Sequence, residues 1–221
     1  MQVPARPTRI ALLGAESTGK TQLASALAAA FLRQGRTAAV VPEVLRAWCE
    51  REGRTPRPQE QQAIAFEQAQ RVLALDSVEI VIADTTPLMT AIYSHLLFRD
   101  ETLYDFALDH QRLYDATLVT GLDLPWVADG LQRDGPQVRE PVDTLLRAAL
   151  ARSGVRWQVI YGSGTSRVDK AQNALFTIAN NDLSTLGTGQ KSLNPGAWHW
   201  SCEKCSDPGC EHRLFTGLLK P

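Results

Sequence analysis

The segment Gly14-Ala15-Glu16-Ser17-Thr18-Gly19-Lys20-Thr21 constrains this chain more than any other. It fits G-x-x-x-x-G-K-[ST] in full, follows an apolar run at 9–13 and opens a helix-forming stretch. Its two glycines let the backbone close into a nest whose N–H groups face phosphate oxygens, and the start of the helix adds its partial positive charge. Lys20 is expected to bridge the β- and γ-phosphates of a nucleoside triphosphate, and the Thr21 hydroxyl to ligate magnesium. ATP and Mg2+ are therefore the expected cofactors of residues 14–21.

The rest of the chain carries the rhythm such a loop requires. Short β-branched runs at 9–13, 37–41, 79–83, 116–120 and 156–161 alternate with stretches of helical period at 20–34, 59–76, 87–98, 102–113 and 138–152. Ile80-Val81-Ile82-Ala83 is apolar without alternation, as in a strand covered by helices on both faces. The pattern predicts an α/β fold of the P-loop NTPase or kinase type: a five-stranded parallel sheet with helices on both faces, in a domain spanning 1–180. Beyond residue 161 Gly, Ser, Thr and Asn interrupt the period, and only 168–179 still reads as a helix. Residues 181–221 are expected to form a small C-terminal extension with too little apolar mass for its own core.

Composition excludes several functions. A chain of 221 residues, 44% hydrophobic, can bury a real core. A formal charge of -1 leaves no global field to draw it onto nucleic acid or an anionic membrane, so an anion site must be local. There is no apolar run of membrane-spanning length, and the first residues lack a signal peptide's apolar stretch. The expectation is a cytoplasmic protein acting on a small molecule, with neither nucleic acid nor membrane as partner.

A magnesium ion beside the P-loop needs a carboxylate from a neighbouring strand end. Asp84, closing the run at 79–83, fits; the alternative is that it caps the helix announced by Thr85-Thr86-Pro87. Glu43 stands in the same kind of position after the second strand, where it is a candidate base for an acceptor hydroxyl or a first-turn acid satisfying a helix dipole. Arg46 lies three residues on, able to pair with Glu43 or with substrate. The segment at 126–139 reads as a flap, and either Arg133 or Arg139 is a candidate to close over the γ-phosphate. Residues 161–167, after the last strand, are in a position to form a loop against the nucleotide base. Cys49 reads as a small buried hydrophobe.

In their order, the Gly-Ala-Glu-Ser P-loop, Glu43-x-x-Arg46, the Gln-rich helix at 60–71, Ile82-Ala83-Asp84-Thr85 and Trp126-Val127-Ala128-Asp129-Gly130-Leu131 resemble the ribosylnicotinamide kinase domain of bacterial NadR and related AAA-type P-loop ATPases. The resemblance runs from about 8 to 170 and implies transfer of the γ-phosphate of ATP to the 5′-hydroxyl of nicotinamide riboside. It implies nucleoside contacts from Glu43, Arg46, Asp84, Trp126 and Asp129, with Glu43 or Asp84 handling the hydroxyl. The chain lacks the H-x-G-H signature of the adenylyltransferase that accompanies this domain in bifunctional relatives, so adenylyl transfer is not expected. A nucleoside of another kind is a competing acceptor. The alternative in a different class is a regulatory ATP-binding module whose tail contacts a partner.

That tail holds Cys202-x-x-Cys205 and Cys210-x-His212, four soft or borderline ligands within eleven residues. A structural Zn2+ on Cys202, Cys205, Cys210 and His212 is expected. The single residue between Cys210 and His212 is tight, which leaves His199 open as the fourth ligand.

Overall fold

The computed structural model describes residues 6–127 and 135–186. Its strands β1 (Thr8–Leu13), β2 (Ala38–Val41), β3 (Ile80–Asp84), β4 (Ala116–Thr120) and β5 (Trp157–Ile160) lie where the β-branched runs predict them. They make one parallel sheet in the order β2-β3-β1-β4-β5. Between and around them run α1 (Lys20–Arg33), α2 (Val44–Glu52), α3 (Pro58–Leu73), α4 (Pro87–Phe98), α5 (Tyr104–Gln111), α6 (Arg139–Ser153) and α7 (Gly164–Leu186). This is the α/β P-loop fold expected.

Strand period sends successive side chains to opposite faces, and both faces are used. Ile10, Leu12, Ile80, Ile82 and Leu118 pack beneath α1 and α7, whereas Ala11, Leu13, Val81, Ala83 and Val119 pack against the helices between α3 and α6. With water excluded from both sides, a polar partner is affordable only at the strand ends, which is where the site collects. β1 lies between β3 and β4, with Leu12 opposite Asp84 and Leu13 opposite Val119. The ends of these three strands therefore bring the P-loop, Asp84 and Thr120 side by side.

Two helices differ from the periodicity reading. α2 is a separate nine-residue helix, too short for a long-window signal; it buries Val44, Leu45, Trp48 and Cys49 and ends at Gly53 with φ 67°. α7 begins at Gly164 and runs through Leu186, across the expected boundary at 180. Its apolar face, with Val168, Ala171, Ala174, Leu175 and Ile178, packs against α1 and the sheet, and that burial outweighs the low helix propensity of its Gly, Ser, Thr and Asn.

Asp129 and Arg133, and with them half of the expected flap at 126–139, lie outside the described residues. So do the expected zinc ligands Cys202, Cys205, Cys210 and His212, the alternative His199, and nearly all of the expected extension. Among the described residues there is no grouping of His, Cys, Asp and Glu able to hold a metal ion, and no helix is long and apolar enough to cross a membrane.

Candidate active site

The P-loop turns through three residues of positive φ: Gly14 at 144°, Ser17 at 56° and Gly19 at 74°. Gly14 is needed for space as well as for φ, since a Cβ there would stand 2.1 Å from Thr120 Oγ1. Thr120 braces the loop from the end of β4. Its hydroxyl donates to the Leu13 carbonyl at 3.1 Å and lies 2.6 Å from that of Thr18, which reaches the Ala15 carbonyl at 2.7 Å. At the tip, the Ser17 hydroxyl donates to the Val127 carbonyl and accepts from its N–H. Lys20 Nζ donates to the carbonyls of Gly14 and Ala15, each at 2.9 Å, which holds the ammonium over the nest.

Asp84 is 2% exposed, and its Oδ2 accepts the Thr21 hydroxyl at 2.6 Å. Capping of α4 falls instead to Thr86, whose hydroxyl accepts from the Leu88 N–H at 3.3 Å and donates to Gln111. Thr85 between them is held at φ 76°, a conformation that costs a β-branched residue roughly 1–3 kcal/mol. Oδ1 of Asp84 is buried without a hydrogen-bond partner among the described residues. A buried carboxylate oxygen beside a hydroxyl is the donor set a hard divalent cation requires, so Thr21 and Asp84 fit magnesium.

Three clefts meet along the P-loop. One is lined by Glu16, Lys20, Glu43, Arg46, Gln61 and Tyr93, between α2, α3, α4 and the loop. A second runs over residues 17–22 to Arg46, Leu124, Pro125 and Val127. The third is lined by Gly19, Gln22, Leu124, Ser163, Thr165 and Arg167. Lys20 and Arg46 are common to the first two, and Gly19, Gln22 and Leu124 to the last two. The arrangement is a row with the pocket of Glu43 at one end, the phosphate nest in the middle and the 161–167 segment at the other.

Glu43 is the residue just before α2, which explains its place at the sheet edge; its side chain is 13% exposed, and Oε2 lies 3.7 Å from Arg46 Nε. The two residues therefore face the same pocket as Lys20. Arg139 is placed differently from the arginine expected to close over phosphate. It is buried at the head of α6, with Nη1 donating to the Leu124 carbonyl at 2.9 Å and Nη2 to that of Leu122 at 3.2 Å. It fastens the segment after β4, a destination no local pattern reveals. Asp123 ties the same segment to the far loop by accepting the Gly162 N–H at 2.6 Å.

Sequence reasoning missed Thr120, Gln61 and the side chain of Arg167. Thr120 had a signal, a hydroxyl residue ending an apolar strand. Gln61, 1% exposed on α3, lies in the Gln-rich stretch at 60–71, but which of its glutamines enters the pocket follows from helix packing. Arg167 is 4% exposed, and burial lowers the pKa of its guanidinium while the Asp123 charge raises it.

Comparison with known proteins agrees with this fold. A family model described as an AAA domain matches residues 9–167. Among solved structures, a NadR protein in complex with NR is similar with a TM-score of 0.61 and 18% identity, over 79% of this chain and 50% of that one. The chain thus spans half the length of that NadR. Deoxyadenosine kinase from M. mycoides is similar in two states. With dCMP and dCDP bound the TM-score is 0.54 at 13% identity; with dCTP bound it is 0.52 at 14%. Each covers 77% of this chain and 100% of the kinase. At such identities the likeness is one of fold. No curated protein sequence matches.

Proposed function

The chain belongs to the AAA domain family, and from that premise we propose that it is a P-loop kinase moving the γ-phosphate of ATP to a hydroxyl of a nucleoside-like acceptor. The 5′-hydroxyl of nicotinamide riboside is the first candidate. The observation that carries this reading is the pocket in which Glu43 and Arg46 share a wall with Lys20, so that a carboxylate and the ammonium of the P-loop border one space.

Residues 14–21 would hold the triphosphate by backbone N–H groups, with Lys20 released from its loop carbonyls onto the β- and γ-oxygens. Thr21 and Asp84 would hold Mg2+, which when bound neutralises charge on the phosphates. Glu43 would accept the acceptor's proton as the new O–P bond forms and the bond from the γ-phosphorus to the bridging oxygen breaks, releasing ADP. Arg46, lining both the pocket of Glu43 and the cleft over the P-loop, would steady the transferring group. The likeness of fold to NadR and to a deoxyadenosine kinase supports a nucleoside as the acceptor class.

The test is ADP release from Mg-ATP with a panel of ribosides and deoxyribosides led by nicotinamide riboside, with mass detection of the product. Phosphorylated nucleoside formed in step with ADP is the expected result. ATP binding without acceptor-dependent turnover across the panel would overturn the nucleoside reading.

A further inference from the structure

We propose that Arg167 is a nucleotide ligand, its guanidinium donating to the phosphate next to the sugar from the side of the P-loop opposite Lys20. The assignment rests on the nucleotide-binding half of the proposed function and is independent of the acceptor. Arg167 is 4% exposed, and its Nε and Nη2 have no hydrogen-bond partner among the described residues. Its Nη1 lies 3.0 Å from where a Cβ on Gly19 would be, and Gly19 is the N-cap of α1. The guanidinium therefore stands at the positive end of that helix, in the cleft shared by Gly19, Gln22 and Leu124 with Ser163 and Thr165.

A buried cation with two donors unmet is costly, and a helix N-terminus adds to the cost rather than relieving it. Asp123, the carboxylate whose charge reaches it, is already engaged by the Gly162 N–H, and the loss of water holds the guanidinium pKa below its ordinary value. An anion in this cleft would satisfy the arginine and the helix end together. The order of the clefts identifies which part of the nucleotide that is. In the proposed reaction the pocket of Glu43 and Lys20 takes the γ end, which leaves Ser163 and Thr165 the base end, so Arg167 meets the phosphate between base and nest.

The experiment uses Arg167→Met, which keeps the stem and removes the charge, and Arg167→Lys, which keeps charge without the fork. Binding of whichever of MgADP and MgGDP the wild type prefers is measured by calorimetry, with melting temperatures in the presence and absence of nucleotide. Loss of a charge-assisted contact predicts binding about tenfold weaker or worse in Arg167→Met, with partial recovery in Arg167→Lys. The melting temperature without nucleotide should hold or rise in Arg167→Met, since an unmet buried charge is removed, while the nucleotide-induced increase shrinks. Binding by Arg167→Met within twofold of wild type overturns the assignment, as does a large fall in its nucleotide-free melting temperature with affinity kept. If Arg167→Met fails to fold, Arg167→Gln, which also removes the charge, decides on the same affinity criterion; collapse of both without nucleotide marks a structural role and overturns it. A wild type that binds nucleotide yet phosphorylates no acceptor rejects the kinase reading alone, and a wild type that binds neither nucleotide rejects both.

Discussion

The Thr21 hydroxyl donates to Asp84 Oδ2 at 2.6 Å although 63 positions separate the two residues. The contact follows from the pairing of β1 with β3, which sets Leu12 opposite Asp84, so the last residue of β3 meets the first turn of α1. If the pair serves a divalent cation, Asp84→Asn and Thr21→Ala should each lower kcat by about 10² or more and raise the Mg2+ concentration for half-maximal rate. Thr21→Ser, which keeps the hydroxyl, should stay near wild type. Magnesium titrations of the initial rate read this directly, and an unchanged Mg2+ requirement in both variants would reject the pair as a cation site.

Lys20 donates to two carbonyls of its own loop, and Lys20→Ala should leave the circular dichroism spectrum intact. Transfer should fall by about 10³ or more, since the ammonium is the principal cation over the γ-phosphate in the proposed reaction. Full turnover in this variant would sink the phosphate role.

Glu43 and Asp84 offer two carboxylates, and their surroundings separate their roles in the proposed reaction: Asp84 is engaged by Thr21, whereas Glu43 lines the pocket it shares with Lys20 and Arg46. Glu43→Gln should lower kcat by about 10²–10⁴ with ATP affinity unchanged within about twofold. The same pattern in Asp84→Asn, with Glu43→Gln silent, would reverse the assignment.

Gly14 and Thr120 are coupled through space. Gly14→Ala places a Cβ 2.1 Å from Thr120 Oγ1 at a φ of 144°, and should abolish nucleotide binding and destabilise the fold. Thr120→Ala removes the clash but leaves the backbone strain. Its own cost should therefore shrink in the Gly14→Ala background, by about 1 kcal/mol or more in a urea-denaturation double-mutant cycle. Strict additivity would contradict the contact.

His110 gives the fold a pH dependence. It is 5% exposed, and burial holds its imidazole down to about 4 from 6.5, with the Ala69 backbone pulling in the opposite direction. The unfolded chain takes up the proton near pH 6.5 and the folded chain only near 4. Stability contributed by the neutral ring is therefore complete above 6.5 and lost as pH falls through that window, with a limiting slope of about 1.4 kcal/mol per pH unit. His110→Phe should flatten this portion of the curve in urea denaturation at stepped pH; an identical slope would place the dependence on other groups.

What the sequence determined by itself is local. Eight consecutive residues carry the P-loop, because glycine stereochemistry and the start of a helix are short-range properties. The five strands were legible from their apolar runs, and Asp84 and Glu43 from the ends of two of them. Arg139 turned inward onto the Leu122 and Leu124 carbonyls, Gln61 in the pocket of Glu43, and Arg167 against Gly19 were decided by tertiary structure. Each depends on where a side chain arrives once sheet register and helix packing bring distant segments together. Residue spacing encodes which face a side chain takes along its own element; only the packed chain determines what stands opposite it.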